Sequence, residues 1–344
     1  MNNDSLSSPD LYPLTFEPDT ERTRLVGFDE ARYREASFLD ERILPVAGAE
    51  QWVDWPSLHA ATAGLIGECD FIFHTGHVGS TLLSRLLGQS ATVFSLREPA
   101  ILRTLARAQL RGDAPERLED WTATVLKLWA RVYRPEQKTL LKATSFTAEM
   151  APLLMRLNPS ASAILMLVAP QVYLAGILAG DNSRQESKAN ALMRLARLHR
   201  RIGAQPWRLE AMSEGELAAM SWLSEVAALA AVAKAFPGRV LWLDFEGFLA
   251  RPAAGLTACL SRLHGQVSET EVAAMARSPD LTRYSKAPEH AYDADLRRRV
   301  LAQARAEHGL EINKGLDWLD AAMNAHPALA EAVHQAAAGM RGAG

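Results

Sequence analysis

The residues with the clearest capacity for chemistry lie between positions 70 and 87. Asp70-Phe71-Ile72-Phe73-His74 is a short apolar run rich in β formers, followed by Thr75-Gly76-His77-Val78-Gly79 and then Ser80-Thr81-Leu82-Leu83-Ser84-Arg85-Leu86-Leu87. The pattern predicts strand, glycine loop, helix. A turn of this kind leaves several backbone N–H groups unpaired at the start of the helix, where the dipole adds partial positive charge. Glycines admit a phosphate close to the backbone, and Ser80 and Thr81 add hydroxyl donors. Gly76, His77, Val78, Gly79, Ser80 and Thr81 are therefore expected to cradle an anion, and a side chain at Gly79 is expected to fill the phosphate's volume. The bland alternative is a plain turn in which Ser80 or Thr81 caps the helix. A Walker A loop carries Lys just before its Ser/Thr. Here that position is Gly79, which counts against an ATPase or kinase.

Further strands are expected at Ala91 to Ser95, Thr139 to Leu141, Ser162 to Val168 and Arg239 to Leu243, with helical patterns between them. Strands alternating with helices imply an α/β fold, a parallel sheet with helices on both faces. Ligands of such sheets bind at the carboxyl ends of the strands. Residues 1 to about 20 read as a frayed tail, and Asp29 to Leu44 as a helix. Residues 185 to 236 carry helical patterning only. Four regions follow: an extension with a helix over 1–68, an α/β domain over 69–265 with a helical insertion over about 185–236, a helical segment over 266–335, and a frayed tail over 336–344.

The run FIFHTGHVGSTLLSRLL resembles the phosphosulfate loop of the P-loop sulfotransferase superfamily, in which a strand leads into Lys/Arg-x-Gly-Thr/Ser-Thr-x-Leu. SLREP at Ser95 to Pro99, LLK ending at Lys142, ILMLVAPQVYLAGIL, and LWLDFEGFLARPAAGLTACLSRLHG resemble later family segments in the same order. The resemblance covers roughly Phe71 to Gly265 and marks a divergent member. It implies a P-loop NTPase-like fold of sulfotransferase type. The co-substrate would be 3′-phosphoadenosine-5′-phosphosulfate, and the reaction in-line transfer of its sulfuryl group to a hydroxyl or amine of a small-molecule acceptor, with no metal required. Fixed N–H dipoles and a cation are needed at the bridging oxygen, and a base for the acceptor proton.

Site residues follow from the same resemblance. The loop from Gly76 to Thr81 would hold the 5′-phosphosulfate. His77 replaces the usual Lys or Arg, and a protonated imidazole beside an anion does part of that work. Glu98 would be the base, although a Glu beside Pro99 in a first helical turn also suits the dipole alone. Arg97 would be a neighbouring anion contact, and Lys142 would assist the sulfuryl bridge. The family's Arg-Asp-Pro-Arg element is Val168-Ala169-Pro170-Gln171 here, and its later Ser is Gly176. The expected substitutes for the 3′-phosphate ligands are Asn182, Arg184, Arg283, Tyr284, Ser285 and Lys286. Arg194, Arg197 and Arg201 share one helix face, either solvated or gripping an acidic acceptor or a phosphate. His74 reads as a satisfied core histidine, and Trp207, Trp222 and Trp242 as core. Other readings are a nucleotide-dependent phosphotransferase and a non-catalytic nucleotide-binding relative.

Composition sets outer bounds. The 344 residues are 48% hydrophobic and 22% charged, with 37 basic and 40 acidic side chains for a net charge of −3. That is globular composition and not that of a DNA-coating protein, so no nucleic-acid partner is expected. Cys69 and Cys259 are far apart and form no CxxC, which suits a reducing compartment. The first 13 residues lack the pattern of a secretory signal. The most apolar stretch, Ala211 to Phe236, carries Glu214, Glu216, Glu225 and Lys234. A cytoplasmic protein without a membrane partner is the expectation; oligomeric state is left open.

Overall fold

The computed structural model describes Leu6 and residues 8–112, 115–264, 267–285 and 289–342. Two sheets organise the chain. The first is antiparallel, β1 Leu11–Glu17, β2 Arg22–Gly27 and β3 Glu50–Asp54 in that spatial order. The second is wholly parallel: β4 Cys69–His74, β5 Val93–Arg97, β6 Lys138–Lys142, β7 Ala163–Leu167 and β8 Val240–Asp244, in the order β5-β6-β4-β7-β8. Every residue of β4, β5 and β7 is buried, as strands covered on both faces require. The helices up to β7 are α1 Glu30–Glu35, α2 Trp55–Thr62, α3 Ser80–Leu87, α4 Ala100–Arg111, α5 Pro115–Trp129 and α6 Ala151–Arg156. Beyond it come α7 Pro170–Leu178, α8 Asp181–Ala189, α9 Ala191–Ile202, α10 Glu214–Ala235, α11 Phe245–Ala250, α12 Pro252–His264, α13 Glu269–Met275, α14 Ala294–Glu307, α15 Gly309–Ala325 and α16 Pro327–Gly342. The fold class is the expected α/β one, a parallel sheet flanked by helices with many helices added.

The chain path from β4 leads out to the edge strand β5 and back through β6, whereas β7 and β8 lie on the other side of β4. The strand order therefore reverses beside β4, where open sheets form a crevice. Register brings the strand ends level: Ile72 pairs with Lys142, and Lys142 with Arg97. The turn after His74, the end of β6 and the first residues after β5 thus share one edge.

The N-terminal region differs from expectation. Residues read as a frayed tail form β1, where Tyr12, Leu14 and Phe16 are buried along with Pro13. Pro13 masks the strand in the sequence, and the structure accommodates it beside a register shift between Pro13 and Thr15. The single helix expected over 29–44 is instead α1 and a separate 3-10 segment, Glu41–Val46, capped by Asp29 and Asp40. The break follows from a tertiary contact. The buried Arg97 guanidinium donates to the carbonyls of Tyr33, Arg34 and Ala36, occupying the end of α1. At the other end of the chain α16 continues through residues read as a tail. Ala336 is buried, and Gly339 lies so close to the Trp242 indole that a Cβ there would stand 2.1 Å from the ring.

Helix α10 is long and apolar enough to cross a membrane, but 89% of its apolar window is buried inside the protein. It is a core helix. Its N-terminus is capped by Ser213 and Glu216 in a reciprocal box. Backbone contact with α15 is closer than any side chain allows: a Cβ on Gly315 would lie 2.5 Å from the Gly215 carbonyl oxygen. Gly315→Ala should therefore lower stability by about 1–3 kcal/mol, read as a shift in urea midpoint. Glu311 completes the junction, accepting from the Gly215 N–H at 2.9 Å and from Lys314 Nζ at 2.8 Å. The Lys314 bond foremost, then the Gly215 N–H, pull its carboxyl down from 4.5 to about 2. A depressed carboxyl stabilises the fold above its unfolded value, and the contribution is lost as pH falls toward the folded value. The stability difference between the native chain and Glu311→Gln should accordingly be full at pH 6 and shrink from pH 4.5 downward, as measured by denaturant melts at each pH.

Candidate active site

Between β4 and α3 the backbone turns left-handed three times, at Gly76 (φ 90°), His77 (φ 54°) and Gly79 (φ 65°). Successive residues of this kind turn main-chain N–H groups toward one concavity. No side chain caps α3. Among the described residues, the N–H groups of His77, Val78, Gly79, Ser80, Thr81 and Leu82 donate to no protein acceptor. The Thr81 hydroxyl is also buried without a partner. A buried orphan hydroxyl is costly unless a ligand or water completes it. Donors therefore gather at one place with nothing among the described residues to receive them, which is the property of an anion cradle.

The turn is tied down from two sides. His74 accepts the Gly76 N–H on Nδ1 at 3.0 Å, and its Nε2 donates to the Ala143 carbonyl at 2.8 Å. Both ring nitrogens are engaged, so His74 fastens the loop to the end of β6 and is the satisfied histidine its position suggested. Gly79 faces the other support. A Cβ there would stand 2.0 Å from the Phe245 ring. The glycine is therefore required by Phe245 packing and by its positive φ, in place of the phosphate volume expected from the sequence. Phe245 is held in turn by Arg297, whose guanidinium lies over the ring and pairs with Glu246 at 2.8 Å.

The strand-end residues meet the loop in one cavity of about 1110 Å³, the scale of a site for a nucleotide-sized ligand. Gly76 through Leu82, Glu98 and Lys142 all line it. Glu98 adopts a left-handed φ of 54°, a strained conformation for a residue with a side chain. Arg97 turns to the carbonyls at the end of α1 and is not among the cavity's lining residues, whereas Glu98, just past the strand, lines it. Glu98 Oε1 pairs with Lys142 Nζ, and Oε2 accepts from Thr144 Oγ1 at 3.3 Å and Arg103 Nη2 at 3.4 Å. Lys142 is 1% exposed, so this is a buried ion pair and not a solvated strand-end lysine. His77 lies with Nε2 3.4 Å from a Glu186 carboxylate oxygen on α8.

Of the expected 3′-phosphate substitutes, Asn182, Arg283, Tyr284 and Ser285 line the cavity. Arg184 does not; it pairs with Asp181 and with Glu214. Lys286 lies outside the described residues. Arg194 and Arg197 are neither solvated nor open to a ligand: both are buried against Glu225 of α10 at 2.8 Å, while Arg201 pairs with Glu149. Their face joins α9 to α10. Trp222 and Trp242 are core, whereas Trp207 is half-buried among Trp318, His199 and His326. Sequence reading passed over Arg42, Arg103 and Arg107, which line the cavity beside Glu98. The signal was present, since Arg103 and Arg107 are four residues apart on the helix that follows Glu98.

No family model and no curated protein matches this chain. Solved structures show partial likeness in chain path. The sulfotransferase domain from the curacin biosynthetic pathway is 12% identical, with a TM-score of 0.43, over 72% of this chain and 99% of its own. A sulfotransferase from Mycobacterium avium is 13% identical, TM-score 0.39, over 74% of this chain and 80% of its own. One from Alicyclobacillus acidocaldarius is 14% identical, TM-score 0.38, over 74% and 97% respectively. The chemistry of this site rests on its own geometry.

Removing one partner of a buried ion pair strands the other. Glu98→Gln and Lys142→Met should each destabilise by about 3–5 kcal/mol. The double variant should cost clearly less than their sum, a coupling that a double-mutant cycle in urea measures directly.

Proposed function

We propose that this chain is a transferase of sulfotransferase type, moving a sulfuryl group from 3′-phosphoadenosine-5′-phosphosulfate to a hydroxyl or amine of a small acceptor. The observation that carries the reading is the set of unsatisfied donors from His77 to Leu82, with the orphan Thr81 hydroxyl, in the same cavity as the buried Glu98–Lys142 pair. Orphan donors fit an anionic phosphosulfate, and the motif order from Phe71 to Gly265 supports that donor. The nucleotide supplies the activated sulfuryl group.

In this reading the amides of the turn and the Thr81 hydroxyl hold the 5′ end of the nucleotide. His77, standing where the motif has Lys or Arg, donates a further hydrogen bond. Arg283 and Ser285 are assigned to the 3′-phosphate, a site that suits a guanidinium and a hydroxyl. Glu98 receives the acceptor's proton as the oxygen–sulfur bond forms. Lys142 stands against the bridging oxygen, whose bond to sulfur breaks and whose negative charge leaves with the 3′,5′-bisphosphate. The strained, buried setting of Glu98 holds the carboxylate in place between Lys142, Arg103 and Thr144 before the acceptor arrives. The reading places the enzyme in the cytoplasm, with which its unpaired, buried cysteines agree.

Calorimetric titration decides the donor. The 3′,5′-bisphosphate nucleotide should bind more tightly than 5′-AMP or ATP; a preference for ATP with magnesium-dependent turnover would instead establish a phosphotransferase. Thr81→Val keeps the side-chain shape and removes the orphan hydroxyl. It should leave Tm unchanged or raised while weakening the bisphosphate about ten-fold. Tight binding without turnover, unaltered in Glu98→Gln, would mark a non-catalytic nucleotide-binding protein.

A further inference from the structure

The cavity carries three arginines to which the proposed nucleotide contacts give no role. Arg42, Arg103 and Arg107 line the cavity that also holds Glu98 and Lys142. Arg42 and Arg103 both pair with Asp40, and Arg103 also reaches Glu98. Arg107 lies on the same face of α4 as Arg103 and is exposed. It has no hydrogen-bonded or ionic partner among the described residues. Cations therefore outnumber the carboxylates Asp40 and Glu98 in this group. The cavity's other acidic residues, Asp181, Glu186 and Asp293, lie on α8 and just before α14, with Glu186 against His77. Phe38 and Phe146 add apolar surface, and Arg42 lies flat over Phe38, 3.5 Å from the ring centre.

We infer that the acceptor is an anion, a hydroxyl compound bearing a carboxylate or sulfate on the side of the accepting oxygen where Arg103 and, one helical turn further along α4, Arg107 line the cavity. The inference rests on Glu98 as the base of the proposed transfer. The hydroxyl lies at Glu98, the carbon frame runs past Phe146, and the anionic group meets Arg107 with support from Arg103. A neutral acceptor would cover Arg107 without pairing it. An anion gains a charge-assisted, geometrically specific contact. Arg103 already bonds Glu98, so the residue that positions the base and the residue that receives the acceptor's charge are neighbours on one helix.

The test pairs hydroxyaryl and hydroxyalkyl carboxylates of increasing length with their methyl esters, titrated into the full chain with and without saturating 3′,5′-bisphosphate nucleotide. At least one acid should bind about ten-fold more tightly than its ester. R107Q should abolish that preference, and R107K should retain part of it, while affinity for the nucleotide stays unchanged. Equal binding of acids and esters, no binding of any acid, or a preference that survives R107Q would overturn the inference. The nucleotide arm separates the two claims. Nucleotide binding without acid preference removes the anionic acceptor alone, whereas acid preference in a chain that ignores the bisphosphate removes the sulfotransferase reading.

Discussion

Six consecutive main-chain amides with no acceptor among the described residues are the constraint on which the site depends. Backbone donors buried or half-buried in a protein are paired almost everywhere, and here the chain maintains an exception. The left-handed residues Gly76, His77 and Gly79 produce it. His74, which accepts the Gly76 N–H, and Phe245, packed against Gly79, hold the turn in place. The cost of such a turn is small for the two glycines and larger for His77. Rigid packing behind the loop makes that strain persist.

A second layer of order supports the first. Arg297 holds Phe245 through its ring and Glu246 through its charge, and Phe245 fills the space that only a glycine at position 79 leaves free. On the opposite flank, Arg194 of the buried cluster with Glu225 reaches Ser145, which packs against Gly76. The helices beyond β7 therefore act on the cavity through its floor and sides. Their burial explains why the arginine-rich face of α9 is internal. Two guanidinium groups facing one carboxylate and a backbone carbonyl are stable in the interior only because each partner is in place.

The Glu98–Lys142 pair shows how sheet register creates chemistry. Neither residue is near the other in sequence; the parallel ladder sets Lys142 level with Arg97, and the left-handed Glu98 that follows the strand brings its carboxylate onto the Lys142 ammonium. The outcome is a division of labour. Arg97 closes the end of α1 and joins the N-terminal region to the sheet, while Glu98 faces the ligand space.

The sequence alone determined the alternation of strands and helices and the strand, glycine turn and helix from Asp70 to Leu87, and its family resemblance singled out Glu98 and Lys142, which the structure brings together in the cavity beside that turn. The strands and the turn follow from local rules: short apolar runs rich in β formers, glycine placement, and hydroxyl residues at a helix start. The N-terminal sheet was illegible because Pro13 interrupts its alternation and its strands pair with each other and with distant β3. Tertiary structure alone decided that Gly79 answers to Phe245, that Arg97 and Arg184 turn to other partners, that Arg194 and Arg197 are internal, and that Arg42, Arg103 and Arg107 gather beside Glu98. Each of these depends on which side chains meet across long sequence separations. Local pattern shows that a residue can carry charge, but only packing decides what that charge faces.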